Sequence, residues 1–199
     1  MFILYAIPLG VIIGLLTGGR LERLGEARFR WAPLALAGLL TQLIVFFGPV
    51  AERVGDLGVP LYVGSTALVL AAVLRNVAIP GLALVALGAV SNLAAIVANG
   101  GYMPASPGAL AALGREINTG YSNSAVVEAP ALAPLTDLFA LPAWLPWANL
   151  FSVGDVLIAA GIGWAVVALL HGRGPVRAGT SPQSTGPRVP TTDGAASSR

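Results

Sequence analysis

Asn99-Gly100-Gly101-Tyr102-Met103-Pro104 and Leu141-Pro142-Ala143-Trp144-Leu145-Pro146-Trp147-Ala148-Asn149-Leu150-Phe151-Ser152-Val153-Gly154-Asp155 bracket a polar and aromatic segment of about fifty residues in an otherwise apolar chain. Four apolar runs precede this segment and a fifth follows it. Two neighbouring helices need only a few residues to connect, so a link this long is either functional or without fixed structure. Its composition argues for order. Ser106-Pro107 reads as an N-cap followed by proline at the first helical position, and Leu110, Leu113 and Ile117 recur at helical spacing. The expectation is a short amphipathic helix lying on the membrane surface.

The composition around that segment sets the class. Hydrophobic residues make up 56% of the 199, only 10% are charged, and mean hydropathy is +0.80. Soluble domains carry about 25% charged residues, so the sequence predicts a membrane protein. A span needs about 20 apolar residues to cross a hydrocarbon core of roughly 30 Å. Five candidates answer: residues 2–19, 32–50, 59–74, 80–98 and 152–170. The first has no basic residues ahead of it and no small-residue cleavage signature after it, so it reads as a helix and not as a signal peptide. Gly10, Gly14 and Gly18 fall at four-residue spacing within it. Such a face suits close helix packing inside one chain, with homo-oligomerisation as the competing use. Gln42 in the second span needs a polar partner and is expected to face another helix. Pro80 is placed in the first turn of the fourth helix, where its missing N–H costs nothing.

All eleven basic residues are Arg. Four (Arg20, Arg23, Arg28, Arg30) lie in the first loop, Arg75 lies between spans three and four, and Arg173 and Arg177 follow span five, whereas the opposite side has only Arg53 and Arg115. Positively charged short loops remain in the cytoplasm. The expected topology therefore has the N-terminus outside and the C-terminus inside, with residues 99–151 as an ordered extracytoplasmic cap between helices four and five. Residues 173–199 are rich in Gly, Ser, Thr and Pro and read as a disordered cytoplasmic tail. The fold class is an all-α polytopic membrane protein of five transmembrane helices, located in a bacterial inner membrane. The lipid bilayer is its first partner. The scattered Arg residues form no patch suited to nucleic acid.

Chemistry is sparse. No cysteine is present, and the single His, His171, sits at the far end of the last span from the cap. A His-ligated metal site or a Ser-His pair therefore cannot be assembled on the outer face, and no cofactor or metal is expected. No Asp, Glu or Arg lies mid-span, which counts against an ion-coupled carrier. The candidate catalytic residues reduce to carboxylates drawn from Asp137, Asp155, Glu116 and Glu128, with Asp137 and Asp155 preferred. The competing reading makes Asp155 the acid of a capping box begun by Ser152. Gly100 and Gly101 read first as helix terminators. Trp144 and Trp147 read first as interfacial anchors. Asn99, Tyr102, Met103, Trp144, Trp147 and Asn149 are the candidate ligand- or partner-binding residues of the cap.

At Asn99 to Pro104, at Thr136-Asp137 and at Asn149 to Ile158 the chain resembles a family of small bacterial integral-membrane proteins catalogued only as a domain of unknown function. The resemblance covers about residues 1–172. It implies a bacterial inner-membrane location and a recurring outer segment, and brings no activity with it. Three function classes follow from the sequence. The leading one is a non-enzymatic membrane component whose outer cap binds a partner protein or an envelope lipid. A small-solute permease or channel subunit is the alternative, and a carboxylate-dependent membrane enzyme the third.

Overall fold

The computed structural model describes residues 2–114 and 124–175. It is mostly helical. The α-helices are α1 (Ala6–Leu16), α2 (Glu22–Glu26), α3 (Ala32–Val45), α4 (Gly48–Ala51), α5 (Gly58–Arg75), α6 (Leu82–Ala98), α7 (Pro107–Leu113) and α8 (Val153–Leu170). Two of them are long and apolar enough to cross a membrane: α5 together with the turn before it, 21 residues over Gly55–Arg75, and α8 with 18 residues. The apolar stretches Phe2–Leu16, Ala32–Val45 and Leu82–Ala98 are shorter.

The shortening has local causes. The first helix stops at Leu16, not 19, because the Thr17 hydroxyl donates back to Ile13 O at 2.8 Å and Gly18 turns to φ 89°. Gly18 therefore leaves the packing face expected of it, and no atom lies within 4 Å of where its Cβ would be. The second breaks at Phe46–Phe47, where Pro49 offers no N–H to continue the ladder, and α4 restarts from Gly48. The fourth begins at Leu82 from a Gly81 N-cap at φ 90°, which leaves Pro80 just outside the helix and not in its first turn.

The principal helix contacts form a row, α1 against α8, α8 against α6, α6 against α5, and α5 against α3. Small residues line the seams. Gly10 lies against Gly163 backbone, Gly14 against Leu170, and Gly38 against Ser65 and Val69. Gly81 meets Gly161, and Gly88 meets Gly154, so closely that a Cβ on either member would collide with the partner backbone. Ala72, Ala86, Ala95, Ala165 and Ala168 are buried, whereas Leu16, Leu36, Leu39, Leu43, Leu87 and Trp164 are exposed. Small residues inside and large apolar ones outside is the arrangement helices adopt when dispersion packing, and not exclusion of water, brings them together. Gln42 does face a neighbour, donating to Thr66 Oγ1 at 3.2 Å across the α3–α5 seam.

One end of the row gathers the Arg-bearing segments. Arg20 N donates to Leu170 O at 2.9 Å and Arg28 N to Pro175 O at 2.9 Å. Asn76, buried after α5, accepts from Arg30 N at 2.7 Å and donates to Arg30 O at 2.6 Å and to Ala72 O at 2.7 Å. His171 caps α8 with Nδ1 2.9 Å from Val167 O and Nε2 3.0 Å from Thr17 O.

The other end holds the described part of residues 99–151. Strand β1 (Met103–Pro104) pairs in parallel with β2 (Ser124–Ala125), and β3 (Phe139–Ala140) pairs antiparallel with β4 (Leu150–Phe151). Helix α7 starts after Ser106, whose backbone is in the capping conformation but whose hydroxyl makes no cap bond. Arg115, Glu116 and Ile117 fall outside the described residues, as does the expected tail from residue 176 onward.

Candidate functional site

The acids favoured by the sequence lie at the end of the row where α8 begins, near enough for the charge of Asp155 to act on Asp137. Ser152 takes extended φ/ψ as N-cap of α8, and its Oγ accepts from Asp155 N at 3.1 Å while Asp155 Oδ2 accepts from Ser152 N at 3.0 Å. This is a complete capping box, the local outcome of Ser and Asp three residues apart. It does not exhaust Asp155. Asn92 on α6 donates from Nδ2 to Asp155 Oδ1 at 2.8 Å, and the Ser152 hydroxyl donates to Asn92 Oδ1 at 2.9 Å. Three side chains thus close a ring across two helices, and both Asp155 oxygens are engaged. The close approach of Gly88 and Gly154 permits it, since a Cβ at Gly154 would occupy the place of the Asn92 amide oxygen.

Asp137 comes from a different stretch. Its N donates to Pro104 O at 2.9 Å and its O accepts from Ser106 N at 3.0 Å, so that it bridges Ala105 in parallel register. Thr136, 1% exposed, fixes the preceding turn by donating to Ala133 O at 2.7 Å. Asp137 is itself only 6% exposed, and its carboxyl has no hydrogen-bond partner among the described residues. Burial first, and then the negative charge of Asp155, push it up to about 7. An acid held near neutrality beside a second, hydrogen-bonded acid is equipped to give or take a proton at physiological pH. Among the described residues the site supplies no third acid, histidine or basic side chain, and no group of three metal ligands occurs.

The remaining cap candidates are dispersed. Asn99 clamps the loop to the end of α6: Nδ2 donates to Ala95 O at 2.7 Å and to Ala131 O at 2.9 Å, and Oδ1 accepts from Ala131 N at 2.9 Å. Gly100 and Gly101 terminate α6 with φ of 72° and 95°, and Gly101 packs directly on Val59. Met103 is buried with Tyr62, Ala95 and Ile96, Tyr102 is half-buried, and Glu128 is exposed. Asn149 accepts from Phe2 N at 2.9 Å and donates to Leu150 O at 2.7 Å. Beside it the rings of Phe2, Phe151 and Phe139 stack, with centroids 4.5 and 5.4 Å apart. The tip of this hairpin carries Trp144 and Trp147, 81% and 70% exposed, and the Tyr5 hydroxyl donates to Pro146 O between them.

Sequence reasoning paired Asp137 with Asp155 and missed Asn92 as the member that joins Asp155 and Ser152 to α6. The available signal was an Asn in an apolar helix, which has to find a partner. Fold and site together define a helical protein with the packing habit of membrane proteins and an acid pair at one end. The chain belongs to a family of unknown function, DUF5317, whose model matches residues 26–167. No curated protein and no solved structure matches it.

Proposed function

We propose that the chain is a five-span protein of the bacterial cytoplasmic membrane, N-terminus outside, and that residues 99–151 form an outer cap that binds a partner protein or an envelope lipid. The presentation of Trp144 and Trp147 carries this reading. A stacked hairpin tied to the N-terminal helix holds both indoles outward, and rigid, exposed aromatic side chains bind with little entropy to lose. The exposed leucines on the shorter helices support five spans, because water disfavours so large an apolar surface. Alkaline-phosphatase fusions after Ala98 and after Gly174 test the topology: activity belongs at the first, and activity at the second overturns it. A photo-crosslinking amino acid at position 144, with position 43 as a lipid-facing control, tests the cap. A discrete adduct at 144 alone, protein or lipid by mass, is expected; identical labelling at both positions refutes a specific surface.

A second reading, a carboxylate-dependent membrane enzyme, is favoured by one observation, the buried and unpartnered Asp137. It predicts that Asp137→Asn abolishes function in a protein of normal abundance. The cap-binding reading predicts that Asp137→Asn retains it.

A further inference from the structure

The Arg-bearing end contains a cleft of about 470 Å³ lined by Arg28, Phe29, Arg30, Trp31 and Arg75. Three of its five lining residues are arginines, and among the described residues the only ion pair is Arg20–Glu22, elsewhere in the loop. The bias of cytoplasmic loops toward Arg accounts for positive charge on this side, and the α5 dipole accounts for Arg75 in its last turn. Neither requires the three to converge or their backbone to be held still. Yet Arg30 is clamped through both N and O by the Asn76 amide, Arg28 N is tied to Pro175 O, and Trp31 is fixed at φ 60°, a conformation that costs a non-glycine residue energy. Trp31 is also the N-cap of α3, so the positive end of that helix adds to the field at the cleft wall. Beyond the cleft α3 exposes Leu36, Leu39, Leu40 and Leu43. An arginine-lined cleft at the start of a helix that exposes leucines along its length matches one kind of ligand, a phosphate with hydrocarbon chains attached.

We propose that this cleft binds the phosphate-bearing headgroup of an anionic phospholipid, with its acyl chains along α3. The proposal rests on the membrane reading above and is independent of what the outer cap binds. The test titrates the full chain in detergent with phosphatidylglycerol, with phosphatidylcholine and with inorganic phosphate, and follows binding by native mass spectrometry. Phosphatidylglycerol should bind at least about tenfold more tightly than phosphatidylcholine. Arg28→Gln, Arg30→Gln and Arg75→Gln combined should abolish that preference, while the charge-matched set Arg20→Gln, Arg23→Gln and Arg173→Gln keeps it. Equal loss in both sets, no preference in the wild type, or complete displacement by millimolar inorganic phosphate overturns the site. If the glutamine set does not fold, Arg28→Lys, Arg30→Lys and Arg75→Lys keeps the charge and removes the fork. Weakened preference there supports the cleft, and unchanged preference overturns it. Alkaline carbonate washing separates the two readings. Release of the chain from membranes refutes the membrane reading, whereas retention without headgroup preference refutes the cleft alone.

Discussion

The two ends of the helical row solve the same problem with opposite chemistry. At each, an Asn side chain holds a loop to a helix terminus by mimicking a strand edge: Asn76 grips Arg30 through both its N–H and its carbonyl, and Asn99 grips Ala131 in the same way. At the Arg end Arg28, Arg30 and Arg75 stay exposed, and the loop is held through backbone hydrogen bonds at Arg28 and Arg30. At the acid end a charged side chain has gone inside, since Asp137 is buried and titrates near neutrality. Guanidinium groups on flexible stems reach water from almost any backbone position, whereas a short carboxyl follows its backbone into the interior and must shed its charge or find donors. The arginines stay exposed at one end, and the buried acid at the other keeps its proton up to near neutrality.

The largest expected effect tests the buried acid. Its unfolded carboxyl titrates near 3.8 and the folded one near 7, so between those values the folded state keeps a proton that the unfolded state has released. Stability contributed by the neutral form is complete below pH 4, falls as pH rises toward 7, and is gone above it. A shift of this size corresponds to about 4 kcal/mol. Asp137→Asn should therefore raise the melting temperature at pH 8, leave it nearly unchanged at pH 4, and flatten the profile between. Parallel wild-type and variant profiles would refute the assignment.

At the Arg end, Asn76→Ala removes three hydrogen bonds from a buried position and should cost about 3 kcal/mol, with Arg30 N–H exchanging faster. Retained amide protection at Arg30 would show that the clamp does not hold the loop. Next comes Asp155, which separates ring from cap. A simple cap tolerates Asn, but here two donors reach the two oxygens, and an amide offers only one acceptor. Asp155→Asn should cost about 1 kcal/mol and Asp155→Ala about 2. Both should move the Asp137 midpoint downward by removing the neighbouring charge. An unmoved midpoint would mean that the acids do not communicate. The smallest effect is expected at Asn99→Ala, about 1 kcal/mol, because water replaces part of this half-exposed clamp. A loss as large as at Asn76 would erase the distinction between the ends.

Several features were open to sequence reading because their causes are local or compositional. Ser152 and Asp155 close a capping box because three residues of helix bring them together in any helical context. The terminator glycines after Asn99 take positive φ because the chain must leave α6 there. Gln42 was bound to seek a polar neighbour, and Gly10 and Gly14 a close one, because apolar surroundings leave them no alternative. Tertiary structure alone decided the rest. Asn92 meets Asp155 across 63 residues, and Asn76 meets Arg30 across 46. The burial of Asp137, without a side-chain partner among the described residues, goes with a parallel bridge to Ala105, 32 residues earlier in the chain. A residue's type determines what it needs, and periodicity determines which neighbours it has within a helix. Whether a polar group distant in sequence arrives to meet that need is set by how the helices pack, through close approaches such as that of Gly88 to Gly154.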